Sequence, residues 1–356
     1  MKSGDEMPCK GKGMKHPAEV DVAVLILFFT RPEPLRMVFN EIKKARPARL
    51  YLYQDGPRGE HDMAGIEACR KVVSDEEIDW ECDVQRNYQT VNAGCDPSNF
   101  NAQKWAFTLS DKCVIFEDDS IPSVTFIRFC KELLDRYEHD DRIMMIQGFN
   151  VDEQTPDIPD DYFFTTIMSI WGWATWRRVI DQWDEHYTYL DDKYNMHLLS
   201  QIVKKRNYRD TMYRMSYDHR ALGKAYYESI LWACMMFNSG LAIVPTRNMI
   251  NNLGPAVGGT STHYAGSLST LPRRLRRLFT MKRFEVSFPL KHPRYVIENM
   301  DYKDHFYRVS AYKHPWRKIG YSLEELAYNL RYGNFTHIWR SMKNRAKKLT
   351  GQKKFD

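Results

Sequence analysis

The chain has 356 residues, is 43% hydrophobic and carries a formal net charge of +6. That is enough apolar material for a sizeable core, so extensive disorder is excluded. The charge is uneven: residues 271–356 hold 21 Lys and Arg against 7 Asp and Glu, leaving the body slightly acidic, which argues against a uniformly basic nucleic-acid binder.

The first twenty residues are polar, with two prolines, and read as a disordered N-terminus with no signal-peptide stretch. VAVLILFF (22–29) reads as a buried strand and ends at Thr30-Arg31-Pro32. Leu35, Val38, Phe39 and Ile42 then follow at helical spacing. LYLYQ (50–54) is a second strand, stopped by Asp55-Gly56-Pro57. A helix is expected over 66–73, a short strand at 84–86 and a helix over 100–109. CVIF (113–116) is an apolar strand that runs directly into Glu117-Asp118-Asp119. A helix over 126–137 and a strand over 144–148 complete an alternating pattern. Alternation of this kind implies a mostly parallel sheet with helices on both faces.

Residues 151–270 are less regular. They contain IWGWATW (170–176), a helix expected over 228–238, an IVP strand and a Gly/Thr/Ser-rich loop from Gly254 to Gly266. From 271 a basic extension begins. Ser322-Leu323-Glu324-Glu325 has capping-box spacing, so a helix is expected to start there, and another over 336–349. The seven cysteines are odd in number and contain no CxxC pair, which fits a reducing, cytoplasmic setting better than a disulfide framework.

The acidic triplet is the sharpest feature. Three adjacent carboxylates repel one another, and at the end of a buried strand they lose solvation. A solvated turn closed by Pro122 is the plain reading. Strand C-termini in open α/β sheets are also where ligands bind, and hard oxygen ligands there suit Mg²⁺ or Mn²⁺ beside nucleotide phosphates.

In this context the chain resembles the GT-A glycosyltransferases. It is most similar to the group that includes N-acetylglucosaminyltransferase I and the bacterial family 2, hemolysin-activation-like enzymes. The resemblance runs through LILFFTRPEPLRMVFNEI (25–42), LYLYQDGPR (50–58), NAGCDPSNFNAQKWAF (92–107), VIFEDDSIPSVTFIRFCKELLDRY (114–137), GWATW (172–176) and VPTRNMINNLG…GTSTH (244–263), and covers about 22–295. It implies a GT-A, Rossmann-like mixed sheet with a nucleotide-sugar half (21–150), an acceptor half (151–270) and a basic, partly helical extension (271–356). It further implies a UDP-sugar or other nucleotide-sugar donor and Mn²⁺ or Mg²⁺. The implied acceptor is a glycan or lipid-linked molecule in surface-polysaccharide assembly.

Carried over residue by residue, Asp119 is the expected metal ligand, Asp118 lies near the ribose or the metal's waters, and Glu117 lies near the donor sugar. Asp55 would accept the uracil imide N–H, although Asp-Gly is also ordinary turn chemistry. Thr30 and Arg31 would lie beside the base or diphosphate, and Lys104 near the nucleotide. Both basic residues are equally explained as surface groups. Inverting transfer needs a general base. Glu228 is the first choice, with Tyr227 competing for its slot, Asp218 as runner-up and a helix-terminal carboxylate as the plain alternative. His263 would reach the diphosphate or metal, or else be a loop histidine in water. Trp171, Trp173 and Trp176 could stack an acceptor sugar, but their spacing does not allow all three on one face.

The basic extension reads as packing partly on the domain or, through Ile338, Trp339 and Met342 among Lys and Arg, as an element attracted to anionic membrane. No nucleic-acid module accompanies the charge. Two alternatives stay open: a nucleotidyltransferase, although FFTRPEP stands where a Gly-rich phosphate loop is usual, and a GT-A domain that binds without turnover.

Overall fold

The computed structural model describes residues 15–254, 268–314, 316–336, 338, 339 and 343. β1 (Val20–Phe28) is buried at every position except Asp21, as a central parallel strand must be when both faces are covered. α1 (Pro32–Ala45) starts on a proline, whose missing N–H is harmless in a first turn, and turns Leu35, Val38, Phe39 and Ile42 inward. β2 (Pro47–Gln54), α2 (Met63–Val72), β3 (Asp83–Tyr88), α3 (Cys95–Leu109) and β4 (Lys112–Glu117) follow in alternation. α3 begins five residues before the expected start, because Pro97 sits in its first turn and so does not break it.

The main sheet has eight strands in the order β3-β2-β1-β4-β8-β6-β9-β7. β3, β2, β1 and β4 are mutually parallel. β8 (Trp173–Trp176) inserts antiparallel between β4 and β6 (Ile143–Gln147), β9 (Leu241–Pro245) lies parallel to β6, and β7 (Tyr162–Thr165) closes the edge. This is the mostly parallel, helix-flanked α/β sheet that the strand–helix alternation implies. Strands from both halves of the chain share it. β5 (Ser120–Pro122) and β10 (Ile250–Asn252) form a separate antiparallel pair, with Asn252 opposite Ser120.

The sheet reverses its winding between β1 and β4. The register sets Leu27 opposite both Tyr53 and Glu117, so the C-terminal ends of β1, β2 and β4 come level there. Helix α4 (Phe126–Arg136) covers the sheet with Phe126, Phe129, Cys130, Leu133 and Leu134. Close packing below β10 depends on two glycines. A Cβ on Gly148 would stand 2.1 Å from Ile250 Cγ1, and Gly172 adopts φ 61° with Ile250 Cδ1 2.6 Å from a built Cβ.

Two expectations change in the core and the extension. Trp173 and Trp176 are core residues of β8, each almost fully buried, so neither offers a sugar platform; only Trp171 stays half-buried, against Phe149 and Phe279. Ser322 does not start a helix but lies inside α11 (Trp316–Arg331). The extension packs partly on the domain, as one of its two readings has it, with Met281, Leu290, Tyr302 and Tyr307 in the core. In it, α9 (Arg273–Leu278) and α10 (Met300–Val309) precede α11, and the Tyr302 ring meets Phe163 of β7 at 4.8 Å. The helix expected over 336–349 falls almost wholly outside the described residues, as do residues 1–14 of the N-terminus expected to be disordered over 1–20; against that expectation His16 bridges to Trp80 and Val20 already starts β1. Helices α6 (Lys193–Ile202) and α7 (Arg206–Leu222) were not anticipated, and neither were α9 and α10. α7 buries only Tyr208 and Ser216, which leaves almost no apolar period to read.

Candidate active site

At the reversal point the ends of β1, β2 and β4, with the start of α3, enclose a cleft of about 300 Å³. Its lining includes Thr30, Arg31, Asp55, Glu117, Asp118 and Asp119, six of the residues expected from sequence. Parallel strands bring this about: each ends on the same side of the sheet, and the loop leaving it contributes polar groups.

Arg31 stands against the acidic triplet. Its Nη2 donates to Asp118 Oδ1 and to Asp119 Oδ2 (3.0 Å), and Nε reaches Asp118 Oδ2 at 3.3 Å. The pair of carboxylates holds the guanidinium charged, with its pKa raised despite burial. Burial pushes Asp118 up to about 6, against the pull of Arg31. Burial, then the charges of Asp119 and Glu228, push Glu117 up to about 8. Tyr227, at the first position of α8 (Tyr227–Phe237), donates its hydroxyl to Glu117 Oε1 at 3.0 Å.

Asp119 is also held from the β10 side. Asn252 Nδ2 donates to its Oδ1 at 2.9 Å, and Leu253 N donates to its backbone carbonyl at 2.7 Å. A Cβ on Gly254 would lie 3.1 Å from Asp119 Oδ2, so this backbone approaches the carboxylate closely. The Gly/Thr/Ser-rich loop leaves from this point. His263 lies outside the described residues.

Asp55 sits in the cleft wall, but its oxygens are satisfied from within. Oδ1 accepts from Gly56 N and Ala93 N, both at 2.9 Å, and Oδ2 accepts from Asn92 Nδ2 at 2.9 Å and Gly94 N at 3.1 Å. Here the turn-forming reading describes the contacts: Asp55 staples the 92–94 loop, and binding an imide would require one of those bonds to yield. Lys104 is not brought to the cleft. Its Nζ donates to Ile180 O at 3.1 Å and tethers α3 to α5 (Arg177–Ile180).

The two base candidates separate. Glu228, in the first turn of α8, lies within electrostatic reach of Glu117 and of Cys95 in the cleft wall. Burial, then the charge of Asp96, push it up to about 7. Asp218 is exposed on α7.

Several cleft residues have no clear sequence signal. Arg58 lines the cleft, stacks over Phe29 at 5.1 Å and pairs with Asp62 at 2.6 Å. Asn92 in the cleft wall and Asn252 behind it reach Asp55 and Asp119, 37 and 133 positions away, so no local pattern marks those contacts. Beyond Glu228, the His219 ring stacks on Tyr226 at 3.8 Å with Nδ1 2.7 Å from Ser229 Oγ, fixing the joint between α7 and α8.

Among the described residues no group of three or more His, Cys, Asp or Glu is arranged to hold a metal ion alone. The donor set still fits Mg²⁺ or Mn²⁺, hard cations that commonly take one or two carboxylates and complete their shell with phosphate and water. Asp119 lines the cleft and could supply such an oxygen, although its Oδ2 accepts from Arg31 and its Oδ1 from Asn252.

No protein-family model matches the chain, and no curated protein matches it. Among solved structures it is similar to residues 1–349 of S. aureus TarS, at 9% identity over 46% of this chain and 48% of that one, with a TM-score of 0.31. It is also similar to apo mouse xyloside xylosyltransferase 1 (12% identity, 37% and 54% covered, TM-score 0.26). A third is 4-diphosphocytidyl-2C-methyl-D-erythritol synthase from Anaerococcus prevotii (8%, 45% and 74%, TM-score 0.28). The matches span about half the length of the first two. Overlaps this small assign no family, and the reading below rests on the cleft residues. Among the described residues no helix is long and apolar enough to cross a membrane.

Proposed function

We propose that this protein is a metal-dependent, inverting glycosyltransferase that uses a nucleotide-sugar donor, in the first instance a UDP-sugar, and a glycan or lipid-linked acceptor. One observation carries the reading: the carboxylates ending β4 share the switch-point cleft with Arg31, and Glu228, in the first turn of α8, lies within electrostatic reach of Glu117. In support, this is where open α/β sheets bind nucleotides, and the cleft combines cationic and hard-oxygen groups suited to a diphosphate.

In this reading Asp119 holds the divalent cation, which when bound would offset charge on the leaving diphosphate. Arg31 and Arg58 add positive charge along the same wall. Asp55 keeps the 92–94 loop in place as a boundary of the nucleotide pocket. Glu228 accepts the proton of the acceptor hydroxyl, a task suited to a carboxylate whose pKa is near 7. Tyr227 holds Glu117 by its hydroxyl and keeps that carboxyl oriented toward the donor.

Thermal shift with a panel of nucleotide sugars, with and without Mn²⁺, tests the donor site, because a ligand that binds the native state raises its melting temperature. Metal-dependent stabilisation by a UDP-sugar is expected in the parent and is expected to vanish in Asp119→Ala. No stabilisation by any nucleotide sugar would overturn the proposal. Glu228→Gln should lower transfer by about 10²-fold or more while leaving donor binding nearly intact. Unchanged turnover would remove Glu228 as the base.

A further inference from the structure

Helix α11 is inverted relative to the usual amphipathic arrangement. Its outward positions are Trp316, Ile319, Leu323, Leu326 and Leu330, each between 41 and 78% exposed, with exposed Gly320 and Ala327 among them. The contacts that hold it to the body are polar: Glu324 Oε1 accepts from Arg273 N at 3.0 Å, and Tyr321 donates to Val309 O at 2.9 Å. On the same side, Arg276 lies over the Tyr328 ring at 5.0 Å and Asn329 is buried. A surface helix normally turns its apolar stripe to the core. Five large side chains left in water on one continuous face indicate a partner surface.

The charges around the stripe identify that surface. Lys318 and Arg331 are exposed on α11, and Arg273, Arg274 and Arg277 are exposed on the neighbouring α9. The acidic residues of α11, Glu324 and Glu325, are half-buried instead. From 316 to 356 the sequence holds ten Lys and Arg against three Asp and Glu, and exposed Phe335 and Trp339 follow the helix. Apolar side chains framed by basic residues, with tryptophan near the ends, match what an anionic lipid surface binds. The 3–4 spacing of the stripe would also suit a helix from a second copy. The positions flanking such a seam are Gly320, Ser322, Ala327 and Asn329, which offer no charge pairs to set a register.

We propose that α11 docks the protein on anionic membrane, its Trp316–Leu330 face entering the headgroup region and its basic rim meeting the lipid phosphates. This holds whether or not the cleft is a transferase site. The experiment is co-sedimentation of the full-length protein with vesicles of phosphatidylcholine alone or containing about 30% phosphatidylglycerol. Binding to the anionic vesicles is expected, weakened by salt, and absent from the neutral ones. Leu323→Glu combined with Leu326→Glu should reduce it about tenfold or more, because the apolar insertion is lost. The melting temperature and any donor binding should stay unchanged, since neither side chain packs on the body. Equal sedimentation of parent and variant, or no preference for anionic lipid, would overturn the proposal. So would a parent that fails to sediment and is a dimer by light scattering where the variant is a monomer; that outcome would assign the face to a second copy.

Discussion

Arg31 is the cation paired with the acidic triplet. Replacing it with Met leaves Asp118 and Asp119 buried without a counter-charge, which should cost about 3 kcal/mol in urea denaturation at pH 7.5. Millimolar Mn²⁺ should recover part of that loss in Arg31→Met; no recovery would argue against a cation at Asp119. Glu228 offers a test of opposite sign. Its folded pKa is raised to about 7, so the stability tied to its protonated form is complete below the unfolded value, about 4.5, and is lost as pH rises through 7. Glu228→Gln escapes that loss. The variant should match the parent near pH 4.5 and exceed it by about 3 kcal/mol at pH 8, measured by denaturant titration at both pH values. If Glu228 is the base, parental transfer should rise with pH through the same range.

At the scale of elements, the site depends on a strand pair that does not belong to the main sheet. β5 continues from the acidic triplet, and β10 returns more than a hundred residues later to pair with it and fix Asp119 through Asn252. Ile250 of β10 fits over Gly148 and Gly172 with no room for a Cβ. Gly148→Ala should therefore displace β10. Overpacking of this kind should cost about 1–3 kcal/mol in stability, and donor binding should weaken as well although Gly148 lies outside the cleft. A variant that melts lower but binds nucleotide sugar as the parent does would show that β10 is not a support of the site. The first βα units were legible because burial on both faces gives strands long apolar runs and because Pro32 and the QDG turn mark their ends. α7 and the early start of α3 were not, since one buries too little to show a period and the other carries proline in its first turn.

For the whole molecule, the basic extension divides into two parts. Residues 281–309 supply Met281, Leu290, Tyr302 and Tyr307 to the core: Tyr302 is buried with its hydroxyl accepting from Val151 N at 3.2 Å, and Tyr307 packs 5.3 Å from Tyr208. Deleting 271–356 should leave the chain unable to fold cooperatively, while deleting 335–356 should preserve the melting transition; circular dichroism melts of both truncations decide this. The alternating α/β layout, the acidic end of β4 and the charge imbalance are legible in the amino-acid order, because strand burial and residue type are local properties. That Asp55 is already bonded, that Lys104 is a tether, that two tryptophans are core and that α11 faces outward with its leucines emerges from long-range packing. Each of those depends on which distant segment lies alongside, and no local period carries that information.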